Sequence, residues 1–182
     1  MTKEIEADLY RYGGLKGMTG FFKGLRKPGF RYIYILRKLT NCKKYSPKWI
    51  LFAFLKNHYT FKYGFQIPTT TKIGNGLYIG HFGSIIINED VVIGNNCNLS
   101  PNVTIGETNR GILKGSPTIG NEVWIGSGAV IVGKVTIGTN VLIAPNSYVN
   151  CDVPNDSIVI GNPSKVISNK DATVGYLDFI LS

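Results

Sequence analysis

The chain has 182 residues, 22 of them glycine and 43% hydrophobic, which suits one repeat domain with an attached segment rather than two independent globular domains. Its net charge of +9 is uneven: residues 1–64 hold fourteen Lys/Arg against three Asp/Glu, whereas residues 65–182 hold six against eight. The longest apolar run, Trp49 to Leu55, is far short of the roughly 20 residues that cross a bilayer, and Glu4, Glu6 and Asp8 stand where a secretory signal needs a basic start and an apolar stretch. Three cysteines without CxxC spacing, Cys42, Cys97 and Cys151, argue against a disulfide framework and a structural zinc site. A cytoplasmic location is expected.

Residues 1–64 interleave cations with aromatics, as in Phe30-Arg31-Tyr32-Ile33-Tyr34, and their periodicity predicts two or three short helices broken near Gly29 and Pro47. The expected role is a cap on the open end of the following repeat domain. The functional alternative is peripheral contact with an anionic membrane, at its inner face, or with another polyanion, since clustered cations beside exposed aromatics attract such surfaces.

From residue 65 a six-residue beat takes over. Ile67, Ile73 and Ile79 are spaced by six, the register slips by two, and Ile87, Ile93, Leu99 and Ile105 resume it. After residues 107–118 the beat restarts at Ile119 and runs through Ile125, Ile131, Ile137, Ile143 and Val149. One hexad buries almost nothing alone, so the hexads must stack. The first position, and the fifth (Leu77, Val91, Cys97, Val103, Val123, Ala129, Val135, Val141), are expected to point inward. Gly at the second position is expected to mark corners that need unusual backbone angles. The predicted fold is mainly β, a parallel β-helix over residues 65–167 of about four coils, with three hexads per coil and parallel strands roughly 4.8 Å apart. Residues 168–182 form a tail.

Lys72-Ile73-Gly74-Asn75-Gly76-Leu77, Gly80-His81, Val103-Thr104-Ile105-Gly106, Pro117-Thr118-Ile119-Gly120 and Gly161-Asn162-Pro163 carry a family resemblance. The chain resembles the hexapeptide-repeat acyltransferases, left-handed parallel β-helices that use acyl-CoA donors, and within them the serine acetyltransferase group. Acetyl-CoA is then the implied co-substrate, with no metal, and a homotrimer with sites between prisms is the implied assembly.

His81, at a third hexad position beside a corner, can project outward, and only His58 competes with it. An imidazole can take the proton of a hydroxyl that attacks a thioester. By resemblance His81 matches the general base. Serine acetyltransferases pair that histidine with an upstream aspartate, where this chain has Gln66, and Glu89 matches the family pattern as a residue that could orient the imidazole. Gly126, Ser127, Gly128 and Ala129, with Ala144 and Pro145, offer small corner residues at which a pantetheine arm could approach backbone amides, and Lys165 suits a CoA phosphate. In loop 107–118, Arg110, Lys114 and Ser116 are acceptor-binding candidates.

The serine enzymes carry an Asp before the histidine and an Arg-His pair at the end of the loop; here those positions read Gly80, Gly115 and Ser116. An amino acid's ammonium and carboxylate would lose these counter-charges. The leading expectation is therefore His-assisted acetyl transfer to a hydroxyl of a sugar or polysaccharide precursor, as in chains resembling surface-polysaccharide acetyltransferases. Serine O-acetylation in cysteine biosynthesis is the alternative, and a structural or polyanion-binding β-helix the non-enzymatic one. A zinc hydratase of the same fold needs three histidines, and the chain has two. No nucleic-acid recognition motif is evident, and no nucleic acid partner is expected.

Overall fold

A computed structural model describes residues 1–180. Its β region is a three-faced parallel solenoid. Face A stacks β1 (Phe65–Gln66), β4 (Ile85–Ile87), β7 (Val103–Gly106), β10 (Val130–Val132) and β13 (Tyr148–Val149). Face B stacks β2 (Lys72–Ile73), β5 (Val92–Ile93), β8 (Thr118–Ile119) and β11 (Thr136–Ile137). Face C stacks β3 (Tyr78–Ile79), β6 (Asn98–Leu99), β9 (Val123–Ile125), β12 (Val141–Ile143) and β14 (Ser157–Ile160), closed by the antiparallel β15 (Lys165–Ser168). The fold is the left-handed β-helix of hexapeptide repeats.

The hexad register is the packing register. Ile79, Leu99, Ile125, Ile143 and Val159 form one ladder on face C. Ile73, Ile93, Ile119 and Ile137 form another on face B, and Ile87, Ile105, Ile131 and Val149 a third on face A. Of these only Ile73, in the first coil, is not fully buried, and every fifth-position residue named above is buried. There are five coils rather than four. After Val149 the beat contracts by two residues, so that Val153 bridges to Ile137 and Val159 stacks on Ile143.

The corner expectation needs correction. Left-handed backbone occurs at the fourth hexad position, at Gly76, Asn96, Asn102, Glu122, Gly128, Asn140 and Asn146, mostly residues that tolerate it. Glycine at the second position answers a close approach instead: a Cβ at Gly120 would lie 2.6 Å from the Gly138 carbonyl oxygen, and one at Gly126 would lie 2.6 Å from Pro145 N.

Residues 1–64 form four helices rather than two or three: α1 (Lys3–Tyr10), α2 (Gly17–Gly24), α3 (Pro28–Thr40) and α4 (Pro47–Tyr63). Pro28 and Pro47 open their helices, where a missing N–H costs nothing, and Ser46 accepts a hydrogen bond from Trp49 N at 3.2 Å as the cap of α4. Gly29 lies inside α3 rather than at a break, because a Cβ there would overlap the Ile79 carbonyl and the Tyr12 hydroxyl. None of the described helices is long and apolar enough to cross a membrane.

The helices close the first coil through a buried ion pair. Arg37 on α3 donates through Nε to Asp8 on α1 at 3.0 Å and through Nη1 to the Ile73 carbonyl at 2.8 Å, while Asp8 accepts from Leu77 N at 2.9 Å. Burial pushes the Asp8 carboxyl above its ordinary range, while the Arg37 charge and the Leu77 amide pull it back. Asp8→Ala would strand the Arg37 charge and should cost about 3–5 kcal/mol in chemical denaturation. The Asp8→Ala/Arg37→Met pair should cost less than the sum of the two single changes; strict additivity would show that the pair is not coupled.

Cys97 is fully buried at its fifth position, and burial pushes its thiol up to about 12. At pH 8 a thiol reagent should label exposed Cys151 and leave Cys97 untouched until the chain unfolds. Labelling of Cys97 in the native protein would mean that the second coil opens.

Candidate active site

Three corners join the faces, and the stacking of coils turns each corner into a column. At the B–C corner the third hexad position is a run of asparagines that tie rung to rung: Asn95 Oδ1 accepts from Asn75 N and Asn121 Oδ1 from Asn95 N, both at 2.8 Å. At the C–A corner the same position in the first coil is His81. It is exposed and makes no hydrogen bond among the described residues.

The C–A column gathers most of the residues expected to serve the donor. Below His81 come Ser100-Pro101 in the second coil, Ser127-Gly128 in the third, Ala144-Pro145 in the fourth and the 161–164 turn leading to Lys165 in the fifth. Ser100 N donates to the Ile125 carbonyl at 3.1 Å, Gly126 N to the Ile143 carbonyl at 2.8 Å and Ala144 N to the Val159 carbonyl at 2.8 Å. Four rung spacings of roughly 4.8 Å separate His81 from the Lys165 turn, about 19 Å along the axis.

The same hydrogen bonds correct the expectation about amides. The N–H groups of Gly126, Gly128, Ala129 and Ala144 are all used within the stack. Ala129 is fully buried in the core and Gly126 is buried beneath Pro145, so neither faces a ligand. Ser127, Gly128, Ala144, Pro145 and Lys165 remain on the surface of the column.

Other expected site residues lie elsewhere in the chain. Glu89 follows β4, at the A–B corner, where it lines a shallow depression with Thr70, Lys72 and Asp90. A whole strand of face A separates it from His81, so it cannot orient that imidazole within one chain. Gln66 faces outward on face A in register with Ile86. Loop 107–118 also leaves from the A–B corner, as a small hairpin pinned by Thr108 N to the Gly115 carbonyl (3.0 Å) and Gly115 N to the Thr108 carbonyl (2.9 Å). Arg110 and Lys114 are exposed on it, Ile112 at its tip is 100% exposed, and Ser116 Oγ is engaged at 2.9 Å by Asn88 Oδ1. Within one protomer this hairpin and His81 occupy different corners.

What surrounds His81 comes partly from the repeats and partly from the segments on either side of them. His81 lines a cleft of about 530 Å³ with Arg11, Lys27, Tyr78, Trp124, Tyr176 and Asp178. Tyr12, after α1, donates to the Ile79 carbonyl (3.1 Å) and accepts from Ile79 N (3.2 Å), which fixes the strand two residues before His81. Its ring lies 4.7 Å from that of Tyr78, and burial pushes its phenol well above the ordinary range. Arg11 donates to Asn98 Oδ1 at 2.6 Å and to the Asn96 carbonyl at 3.2 Å. The C-terminal segment crosses face C: Thr173 Oγ1 donates to Asn140 Oδ1 at 2.7 Å, Asn98 Nδ2 to the Tyr176 carbonyl at 3.2 Å, and the Tyr176 ring lies 4.8 Å from that of Trp124. Two signals pointed here: Trp124 is a large aromatic at an outward hexad position, and Tyr176 and Phe179 are aromatics after the last repeat. Among the described residues no group of three His, Cys, Asp or Glu is placed to hold a metal.

Known proteins share both pattern and fold. Residues 116–151 match the model described as bacterial transferase hexapeptide (six repeats). A serine acetyltransferase of Synechococcus elongatus is 36% identical over 115 residues, covering 63% of this chain and 47% of that one. A serine acetyltransferase of Staphylococcus aureus is 35% identical over 141 residues, covering 78% and 64%. This chain thus spans about half the length of the first relative and under two thirds of the second. A Neisseria gonorrhoeae serine acetyltransferase, solved in complex with serine, superposes with a TM-score of 0.71 at 31% identity, covering 91% of this chain and 68% of that one. On the shared repeats and this near-complete superposition, the chain belongs to the hexapeptide-repeat transferases, in their serine acetyltransferase-like group.

Proposed function

We propose that this chain is an acetyl-CoA-dependent O-acetyltransferase whose acceptor is the hydroxyl of serine. The observation that carries the reading is the superposition of 91% of the chain on an enzyme solved with serine, with His81 exposed at the head of the C–A column and at the wall of an open cleft. The relatives are named for serine, and this favours the serine alternative over the sugar or polysaccharide acceptor expected from sequence.

The chemistry follows from the placement of His81. Its imidazole takes the proton of the acceptor hydroxyl as that oxygen attacks the thioester carbonyl. The C–S bond then breaks, the acyl group stays on oxygen, and the departing thiolate takes the proton back from the imidazolium. The donor lies along the C–A column, with Lys165 as a point charge for its phosphates, and the acceptor lies in the cleft. No acyl-enzyme is needed.

One observation favours a saccharide as a second reading: the cleft is large for serine, and Tyr78, Trp124 and Tyr176 present aromatic faces to it. A lipid-facing role for residues 1–64 gains no comparable support. Part of the basic excess is internal, since Arg11, Arg31 and Arg37 all donate hydrogen bonds that hold the cap. Within one chain the hairpin lies at a different corner from His81, so any role of Arg110 and Lys114 at that site requires a second copy, in keeping with a homotrimer with sites between prisms.

His81→Ala should lower turnover of acetyl-CoA with L-serine by about 10²-fold or more, with CoA affinity little changed. Unchanged turnover would remove His81 as the base. In light scattering the native mass should be three times the 20.0 kDa of the chain. Deleting residues 109–114 should suppress turnover in a folded protein; a fully active monomer would overturn the shared-site reading.

A further inference from the structure

The serine enzymes' counter-charges are missing from the repeat positions, yet the cleft beside His81 is not neutral. It holds one carboxylate, Asp178, and two cations, Arg11 and Lys27. All three come from segments outside the solenoid, the N-terminal helices and the C-terminal segment being brought together beside face C.

The state of Arg11 is unusual. The residue is 4% exposed, two of its guanidinium nitrogens are engaged by Asn96 and Asn98, and its Nε is the one buried side-chain nitrogen or oxygen without a partner among the described residues. An unsatisfied buried donor is costly, and the guanidinium charge of Arg11 has no carboxylate paired with it in the cleft wall. Asp178 is near enough for its charge to act on Arg11. The two are not paired, however, because Asp8–Arg37 is the only ion pair among the described residues. Charges of opposite sign therefore line the same cleft without forming an ion pair. Asp178 is held there by its neighbours: the Tyr176 carbonyl accepts from Asn98, the Tyr176 ring packs on Trp124, and the Phe179 ring meets Tyr10 edge-on at 6.2 Å. Asn98 thus binds the Arg11 wall and the Asp178 wall at once.

We infer that Asp178, with Arg11 and Lys27, forms the α-amino-acid subsite of this cleft: the carboxylate receives the acceptor's ammonium, and the two cations receive its carboxylate. This rests on the serine reading above and gives it a residue basis that the repeat positions lack. A compact zwitterion with a hydroxyl one carbon away from its charged centre is the ligand class that fits two opposed charges beside a proton-accepting imidazole. The C-terminal segment is then part of the acceptor site rather than a tail.

The test compares three acceptors: L-serine, L-serinamide, which keeps the ammonium but lacks the carboxylate, and N-acetyl-L-serine, which keeps the carboxylate but lacks the ammonium. Losing one charge-assisted contact should raise KM by about 10- to 100-fold. Asp178→Asn should do so for L-serine and L-serinamide and far less for N-acetyl-L-serine, with KM for acetyl-CoA unmoved; Asp178→Glu should recover most of the loss. Lys27→Met, at an exposed position, should show the reverse selectivity, penalising L-serine and N-acetyl-L-serine. Serine turnover with KM unaltered in both variants, or altered equally for all three acceptors, would overturn the subsite and leave the serine reading standing. A wild-type chain that acetylates saccharides and no serine compound would overturn both.

Discussion

The buried pair between Asp8 and Arg37 is the contact on which the arrangement of the site depends. A stacked solenoid buries each coil against the next, so its first coil has one face with nothing to cover it. Here Tyr32, Ile33 and Leu36 of α3 and Tyr63 of α4 cover it, α1 packs on α3, and the pair fixes α1 and α3 by satisfying backbone groups of the coil itself, the Ile73 carbonyl and the Leu77 amide. A hydrophobic pair of similar volume would bury as well. It would not specify where along the coil the helices sit. Three and four residues after Asp8 come Arg11 and Tyr12, so the registry that the pair sets at one corner is delivered at the next, where Tyr12 holds Ile79, the end of β3, two residues before His81.

The second constraint is the pitch of the stack. Because every coil repeats the same three corners, a residue type needed at one corner recurs about eighteen positions later, and the corner becomes a continuous edge. The C–A edge runs from His81 to the Lys165 turn without a loop crossing it, while the one long insertion, 107–118, leaves from the A–B edge. The C–A edge and the hairpin are thus segregated by geometry, not by charge. The inward positions cannot take part: the hexad commits its first and fifth residues, such as Ala129 or Cys97, to the core, and the corner between them turns the third, Ser127 or His81, outward.

The solenoid was legible because its signal is periodic and redundant; each rung repeats the evidence for the last. Glycine was legible as a corner residue but for the wrong reason. Nothing in a single sequence separates a glycine that needs positive φ from one that must admit the neighbouring rung's carbonyl, and Gly120 and Gly126 are the second kind. Glu89 came from a match to the family pattern, which carries no information on where a residue falls around the prism; in this fold the eight residues after His81 carry the chain along face A to a different edge. Arg11, Asn98 and Asp178 were not legible. Their juxtaposition depends on how two non-repeating termini dock on face C, and no period encodes that.

That division bears on what family membership can mean for this chain. The matched repeats, residues 116–151, contain the donor-side corners Ser127-Gly128 and Ala144-Pro145 but neither His81 nor any of Arg11, Lys27 and Asp178. A hexapeptide pattern therefore reports on the edge that would receive the donor, which every member needs, and is silent about the acceptor. In this chain the charges that could choose the acceptor come from residues 11, 27 and 178, on segments that lie outside the hexad repeat. Two proteins can share the whole solenoid and differ in substrate through their termini alone, and the unpaired charges around Arg11 are where this chain makes its own choice.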